Sequence, residues 1–352
     1  PCRARARQGA AGRLRDRLLI DVQGLRKSYQ GRLALEDVSF QVPRGQVLGL
    51  LGPNGAGKSS TMRILTGYLG ADSGSARIAG FDVFTQSLEV RRRVGYLPES
   101  APLYSEMRVQ PFLDLLCRLR GVPRARRQDR IDFALSACGL TDRRFQIIGQ
   151  LSRGLRQRVA LAQAVVHDPP VLILDEPTAG LDPGQTRETR DLIVELGHSH
   201  TVIMSSHILS EVSATCQRVV IINRGRLVAD GSPADLGAAL SGGARELEMV
   251  VAGDGERLRA ALAPVVDAER IRIEDLAAGE HRVSIREGSD ELQDQLTAAV
   301  LGAGLRLRSL ALGAPSLERV YLELTQGESG SDAEPEPGPD VEPGPQSLEQ
   351  ED

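Results

Sequence analysis

"GPNGAGKSS", residues 52–60, holds one of only two lysines in a chain whose other side-chain cations are arginines. Lys27 and Lys58 stand out among 43 Lys and Arg residues, so position 58 needs a lysine for a specific reason. The run Gly52-Pro53-Asn54-Gly55-Ala56-Gly57-Lys58-Ser59 fits G-x-x-x-x-G-K-[ST], with Ser60 next to it. A strand-like apolar run, "QVLGLL" (46–51), precedes it, and a helix-like run, "SSTMRILTGYL", follows. In that context the glycines let the backbone wrap a phosphate, and the helix N-terminus adds its dipole to the anion site. A lysine is a compact charge on a flexible stem and can reach between the β- and γ-phosphates of a nucleotide. A planar guanidinium does not fit the same slot. Ser59 offers its hydroxyl to Mg²⁺.

Outward from this cradle, residues 18–231 alternate strand-like and helix-like segments. "VLIL" (171–174) and "TVIMSS" (201–206) read as strands buried on both faces, as in an α/β domain with a largely parallel sheet. Residues 105–150 lack such strands and read as a helical insert. The composition shifts to "GSPADLGAALSGGA" (231–244), a linker in this reading. The segments of 245–325 follow the order β-α-β-β-α-β, a small ferredoxin-like α+β domain. Residues 1–17 are expected to be a disordered Arg-rich extension, and residues 327–352 a disordered acidic tail.

The net charge is −4, and it is concentrated at the ends: six arginines against Asp16 in the first 17 residues, nine acids and no base after Gln326. The body is nearly neutral, so no nucleic-acid partner is expected. Cys2, Cys117, Cys138 and Cys216 show no metal-ligand pairing and read as reduced cytosolic thiols. No apolar run reaches the ~18–20 residues of a membrane helix, so membrane work falls to a partner.

A strand that ends in two carboxylates is ordinary on a surface; in a chain with a phosphate cradle, "VLILDEP" (171–177) reads differently. Asp175 is placed to hold Mg²⁺, directly or through water, and Glu176 to polarise the attacking water as general base. In "LSRGLRQRVALAQAVV" (151–166), Ser152 is an N-cap, and Leu155, Val159, Ala162 and Val166 define a buried helix face. This stretch resembles the signature motif of ABC ATPases, LSGGQ in most members. Ser152 and Gly154 match residues that contact the γ-phosphate, while Arg153 and Leu155 depart from the pattern.

The resemblance covers roughly residues 19–231, with the motifs in order, and it implies further roles. "AGLDP" (179–183) resembles the D-loop, with Asp182 facing the opposite subunit. "SSHIL" (205–209) resembles the switch segment, whose His207 contacts the γ-phosphate. Tyr29 matches the aromatic that stacks on adenine. Glu99, in "GYLPES" (95–100), stands where most members carry Gln and directs an oxygen toward Mg²⁺ and water. His167, His198, His200 and His281 match no motif and read as ordinary surface or core residues. The second domain and "SLERVYLELT" (316–325) resemble ATPase subunits of the ABC-2 export group, including multidrug-type and gliding-motility-type members.

The family implies two ATPs sandwiched in a head-to-tail dimer of this chain with itself or a related ATPase subunit, docked on an integral membrane permease. The chain would then be a cytoplasmic protein, peripheral on the inner face of the cell membrane. Two alternatives are a soluble ABC ATPase associated with DNA or ribosomes, and a nucleotide-dependent regulatory subunit. The first lacks its usual long coiled-coil insertion or second cassette here, and the presence of Glu176 weighs against the second.

Overall fold

The computed structural model describes residues 18–240, 245–267, 270–276 and 279–313. The arginine-rich segment 1–17, the stretch 316–325 and the acidic segment 327–352 lie outside the described residues. In the first unit the strands are β1 (Leu18–Tyr29), β2 (Arg32–Pro43), β3 (Val47–Leu51), β4 (Ser73–Ile78), β5 (Phe81–Asp82), β6 (Val94–Leu97), β7 (Val171–Leu174), β8 (Thr201–Ser206), β9 (Arg218–Asn223) and β10 (Arg226–Gly231). The second unit has β11 (Arg245–Ala252), β12 (Ile271–Asp275), β13 (Glu280–Gly288) and β14 (Arg306–Gly313).

The central sheet has the order β10-β9-β3-β8-β7-β6. Its strands are parallel except β10, which returns antiparallel on β9. Every residue of β3, β7 and β8 is buried, so β3 and β7 are continuous apolar runs rather than alternating ones, while β8 keeps apolar Val202, Ile203 and Met204 between the buried hydroxyl residues Thr201, Ser205 and Ser206. Their side chains part to two cores. Leu48, Leu50, Val171 and Ile173 pack with the antiparallel sheet β2-β1-β4-β5 on one face. Val47, Leu51, Leu172 and Leu174 pack with the helices on the other. Each fully buried Leu or Ile contributes roughly 1.5–3 kcal/mol, so β3 is anchored from both sides just before the cradle.

The helical insert is built from helices Val109–Leu119 and Arg124–Ala137, and its apolar faces join the helix-side core. The stretch 231–244, read as a linker, begins with a helix, Pro233–Leu240. Pro233 suits a first helical turn, and Ser232 Oγ accepts a hydrogen bond from Asp235 N at 3.1 Å. Local capping thus overrides the turn-rich composition. In the second unit, helices Gly255–Leu262 and Asp290–Gly302 alternate with strands in the order β12-β13-β11-β14, all antiparallel, around a separate core. This is the ferredoxin-like arrangement.

His167 carries an acid-sensitive element of the fold. Burial, reinforced by the nearby Arg120 charge, pulls its pKa from 6.5 down to about 4, and its Nε2 lies 3.2 Å from Val94 O. The unfolded chain therefore binds more protons between those values, and stability falls as pH drops from about 6.5 toward 4. His200 shifts the same way. Denaturant titrations of His167→Gln across this window should show a shallower acid slope, on the order of 2 kcal/mol less loss than wild type. Equal slopes would place the acid sensitivity elsewhere.

Candidate active site

The glycine-rich loop links β3 to the helix Lys58–Leu65. Gly57, at the helix N-cap, has φ 110°, and a Cβ there would sit 2.6 Å from Leu35 Cδ2 and 2.7 Å from Ala34 O. Both the backbone angle and the close approach of β2 require glycine. A cleft of about 400 Å³ takes in residues 54–60 of this loop together with Glu99, Glu176 and His207.

Lys58 is 5% exposed, and its Nζ donates to Gly52 O at 2.7 Å and Pro53 O at 3.1 Å. Glu176 Oε1 lies 3.6 Å from the same ammonium. Burial pulls the Lys58 pKa below its ordinary value, while Glu176, Asp175 and Glu99 pull it back up. The ammonium is thus a buried cation held by two carbonyls and the Glu176 carboxylate.

The acidic pair at the end of β7 is fixed from β8. Ser205 Oγ donates to Asp175 Oδ1 at 2.6 Å and accepts from Glu176 N at 2.8 Å. Ser59 Oγ donates to the same Asp175 oxygen at 3.2 Å. Glu176 has φ 48°, a left-handed conformation rare for a residue with a Cβ. Its carbonyl accepts from Ala179 N at 3.1 Å, and its Oε2 lies 2.9 Å from His207 Nδ1. The bound backbone therefore aims a nearly buried carboxylate at the cleft, between a lysine and a histidine.

Tyr29 stands at the end of β1, 42% exposed, with its hydroxyl 3.3 Å from Ser60 Oγ. Asp182 caps helix Pro183–Gly197, accepting from Gln185 N at 2.9 Å. Ser152 caps helix Arg153–Val165, accepting from Leu155 N at 3.3 Å. Ser152, Gly154 and Asp182 are not among the residues lining the cleft. The sequence-based reading missed Ser205. Its signal is a hydroxyl at the end of a wholly buried strand, which needs a partner there. Ala34 and Ala179 also line the cleft without any chemical mark in the sequence.

A family profile described as "ABC transporter" matches residues 35–179. A daunorubicin/doxorubicin resistance ATP-binding protein of Streptomyces peucetius is 33% identical over 87% of this chain and 92% of its own length. The chain belongs to the ABC transporter family. A Nod factor export ATP-binding protein of Rhizobium sp. (strain N33) is 32% identical, over 88% of this chain and 97% of its own. A solved ATP-binding subunit of an ABC transporter superposes with TM-score 0.58 at 31% identity, covering 64% of this chain and 94% of that one. The chain is an ATP-hydrolysing subunit of the kind that powers an ABC transporter. Among the described residues no helix is long and apolar enough to cross a membrane.

Proposed function

We propose that this chain drives export through a separate integral membrane permease, working from the cytoplasmic face as half of a head-to-tail ATPase pair. Export comes from the relatives, one named for drug resistance and one for Nod factor export. The observation that carries the pairing is the division of the motifs. Lys58, Glu99, Glu176 and His207 meet in one cleft, and Gly52, Pro53, Asp175 and Tyr29, outside its lining, are hydrogen-bonded to Lys58, Ser59 or Ser60 within it. Ser152 instead caps its own helix and, with Gly154, lies outside the lining. A site of this kind is completed by the signature helix of a second copy or a related subunit.

In this reading residues 52–60 wrap the phosphates of ATP, Lys58 bridges the β- and γ-phosphates, and Tyr29 stacks on adenine. Asp182 faces the opposite subunit, beside Ser152 and Gly154 at the partner's γ-phosphate. Mg²⁺ fits the donors present, because Ser59 Oγ and Asp175 Oδ1 are hard oxygens 3.2 Å apart and Glu99 lines the same cleft. When bound, the ion would neutralise phosphate charge. Glu176 orients a water and takes its proton as the water attacks the γ-phosphorus and the bond to the bridging oxygen breaks, giving ADP and phosphate. His207 holds the Glu176 carboxylate and faces the γ-phosphate.

The pairing is tested by mixing two inactive variants. Lys58→Ala loses one cradle, and Ser152→Arg blocks the signature helix N-terminus with bulk and charge. A mixed pair contains one site with both lesions and one with neither. Activity should return on mixing and rise with total protein, as mass action requires. No recovery at any ratio or concentration would eliminate the shared site.

A further inference from the structure

Arg153 occupies the first-glycine position of the signature stretch, at the first residue of helix Arg153–Val165. A cation there opposes the helix dipole, so the side chain needs another reason to be present. Its Nη2 donates to Ala179 O at 3.2 Å. It also covers Gly180, where a Cβ would lie 2.0 Å from Nη2 and 2.4 Å from Cζ. Gly180 has φ 68°, so both its backbone and the overlying guanidinium exclude a side chain. One turn along the same helix face, Gln157 Nε2 donates to Pro177 O at 2.8 Å.

These two bonds grip residues 177–180, the turn that leaves Glu176. Within that turn the peptide N–H of Ala179 bonds back to Glu176 O at 3.1 Å. Ala179 therefore stands between Arg153 and the carboxylate-bearing residue, whose left-handed backbone must be held by its surroundings.

We propose that Arg153 is a positioning residue: with Gln157 it clasps the 177–180 turn and so sets the aim of Glu176 in the same subunit. The clasp makes the signature helix, and whatever the partner's nucleotide does to it, mechanically continuous with the subunit's own base. A glycine at this position could not form it. The proposal rests on Glu176 acting as base.

The test is steady-state ATPase kinetics with full-length protein for Arg153→Ala, Arg153→Lys and Glu176→Gln, and for Glu176→Gln combined with Arg153→Ala. Affinity is read separately with a fluorescent ATP analogue. Arg153→Ala should lower kcat about tenfold, inside the ~10²-fold that a 1 Å misplacement can cost, with KM and analogue affinity within about twofold. Arg153→Lys should recover part of the loss, because an ammonium can reach the carbonyl but cannot lie over Gly180. In the Glu176→Gln background the same Arg153→Ala change should cost nothing further, because its effect passes through the missing carboxylate.

A loss confined to ATP affinity would overturn the clasp and make Arg153 a direct phosphate ligand. So would an unchanged kcat, or a full tenfold further loss in the Glu176→Gln background. Glu176→Gln measured alone separates the two claims: normal turnover in that variant would refute the base and leave the clasp without its target.

Discussion

Glu176→Gln should bind ATP as tightly as wild type and lose turnover by about 10²–10⁴-fold, the range a positioned general base supplies. The amide keeps the shape and leaves the φ 48° backbone and its bonds to Ser205 and Ala179 in place. What it loses is the basic oxygen, and with it the ion pair to Lys58. In the paired reading the ATP-bound dimer should therefore accumulate, visible as a shift to double mass in size-exclusion runs with ATP and Mg²⁺. Normal hydrolysis would move the base elsewhere. Glu99, in the same cleft, would be the next residue to change.

If Lys58 bridges the phosphates as proposed, Lys58→Ala should abolish measurable turnover, by about 10²-fold or more, and weaken ATP binding as well, because a preorganised cation is removed. Lys58→Arg should fail nearly as completely despite its charge. The ammonium is 5% exposed and makes two bonds to carbonyls only one residue apart in the chain. A guanidinium placed there is wider and presents its donors in a fixed plane. Thermal melting serves as the control. The desolvation of Lys58 opposes its charge in the folded state, so losing it should leave the midpoint within a few degrees. An Arg variant with turnover within about twofold of wild type would refute the geometric reason for lysine at this position.

The strand, glycine-rich loop and helix around Lys58 were legible because their requirements are local. A strand, a glycine-rich loop and a helix N-terminus follow one another in 20 residues, and each leaves its own mark in residue type. The same holds for β3 and β7, whose burial on both faces demands unbroken apolar runs. The β-α-β-β-α-β order of the second unit was equally readable from period alone. Helix Pro233–Leu240 was not, because small residues and glycine mark turns as readily as a short capped helix.

The partners of these residues were beyond the reach of the sequence, since a contact between distant segments depends on how strands are ordered in the sheet. Setting β8 beside both β3 and β7 puts Ser205 under Asp175 and Glu176, and it brings His207 to Glu176. None of these pairs is closer than 29 residues along the chain. Arg153 is the clearest case. In the one-dimensional pattern it is only a misfit in a glycine position. Packing of its helix against the turn after β7 turns that misfit into a hydrogen bond to Ala179 and a cover over Gly180. Residue types state which chemistry is possible, because charge, size and backbone freedom are intrinsic to each side chain. Which groups act on one another was decided by the parallel sheet order, because only folding brings chain segments this far apart within the ~3 Å over which a hydrogen bond operates.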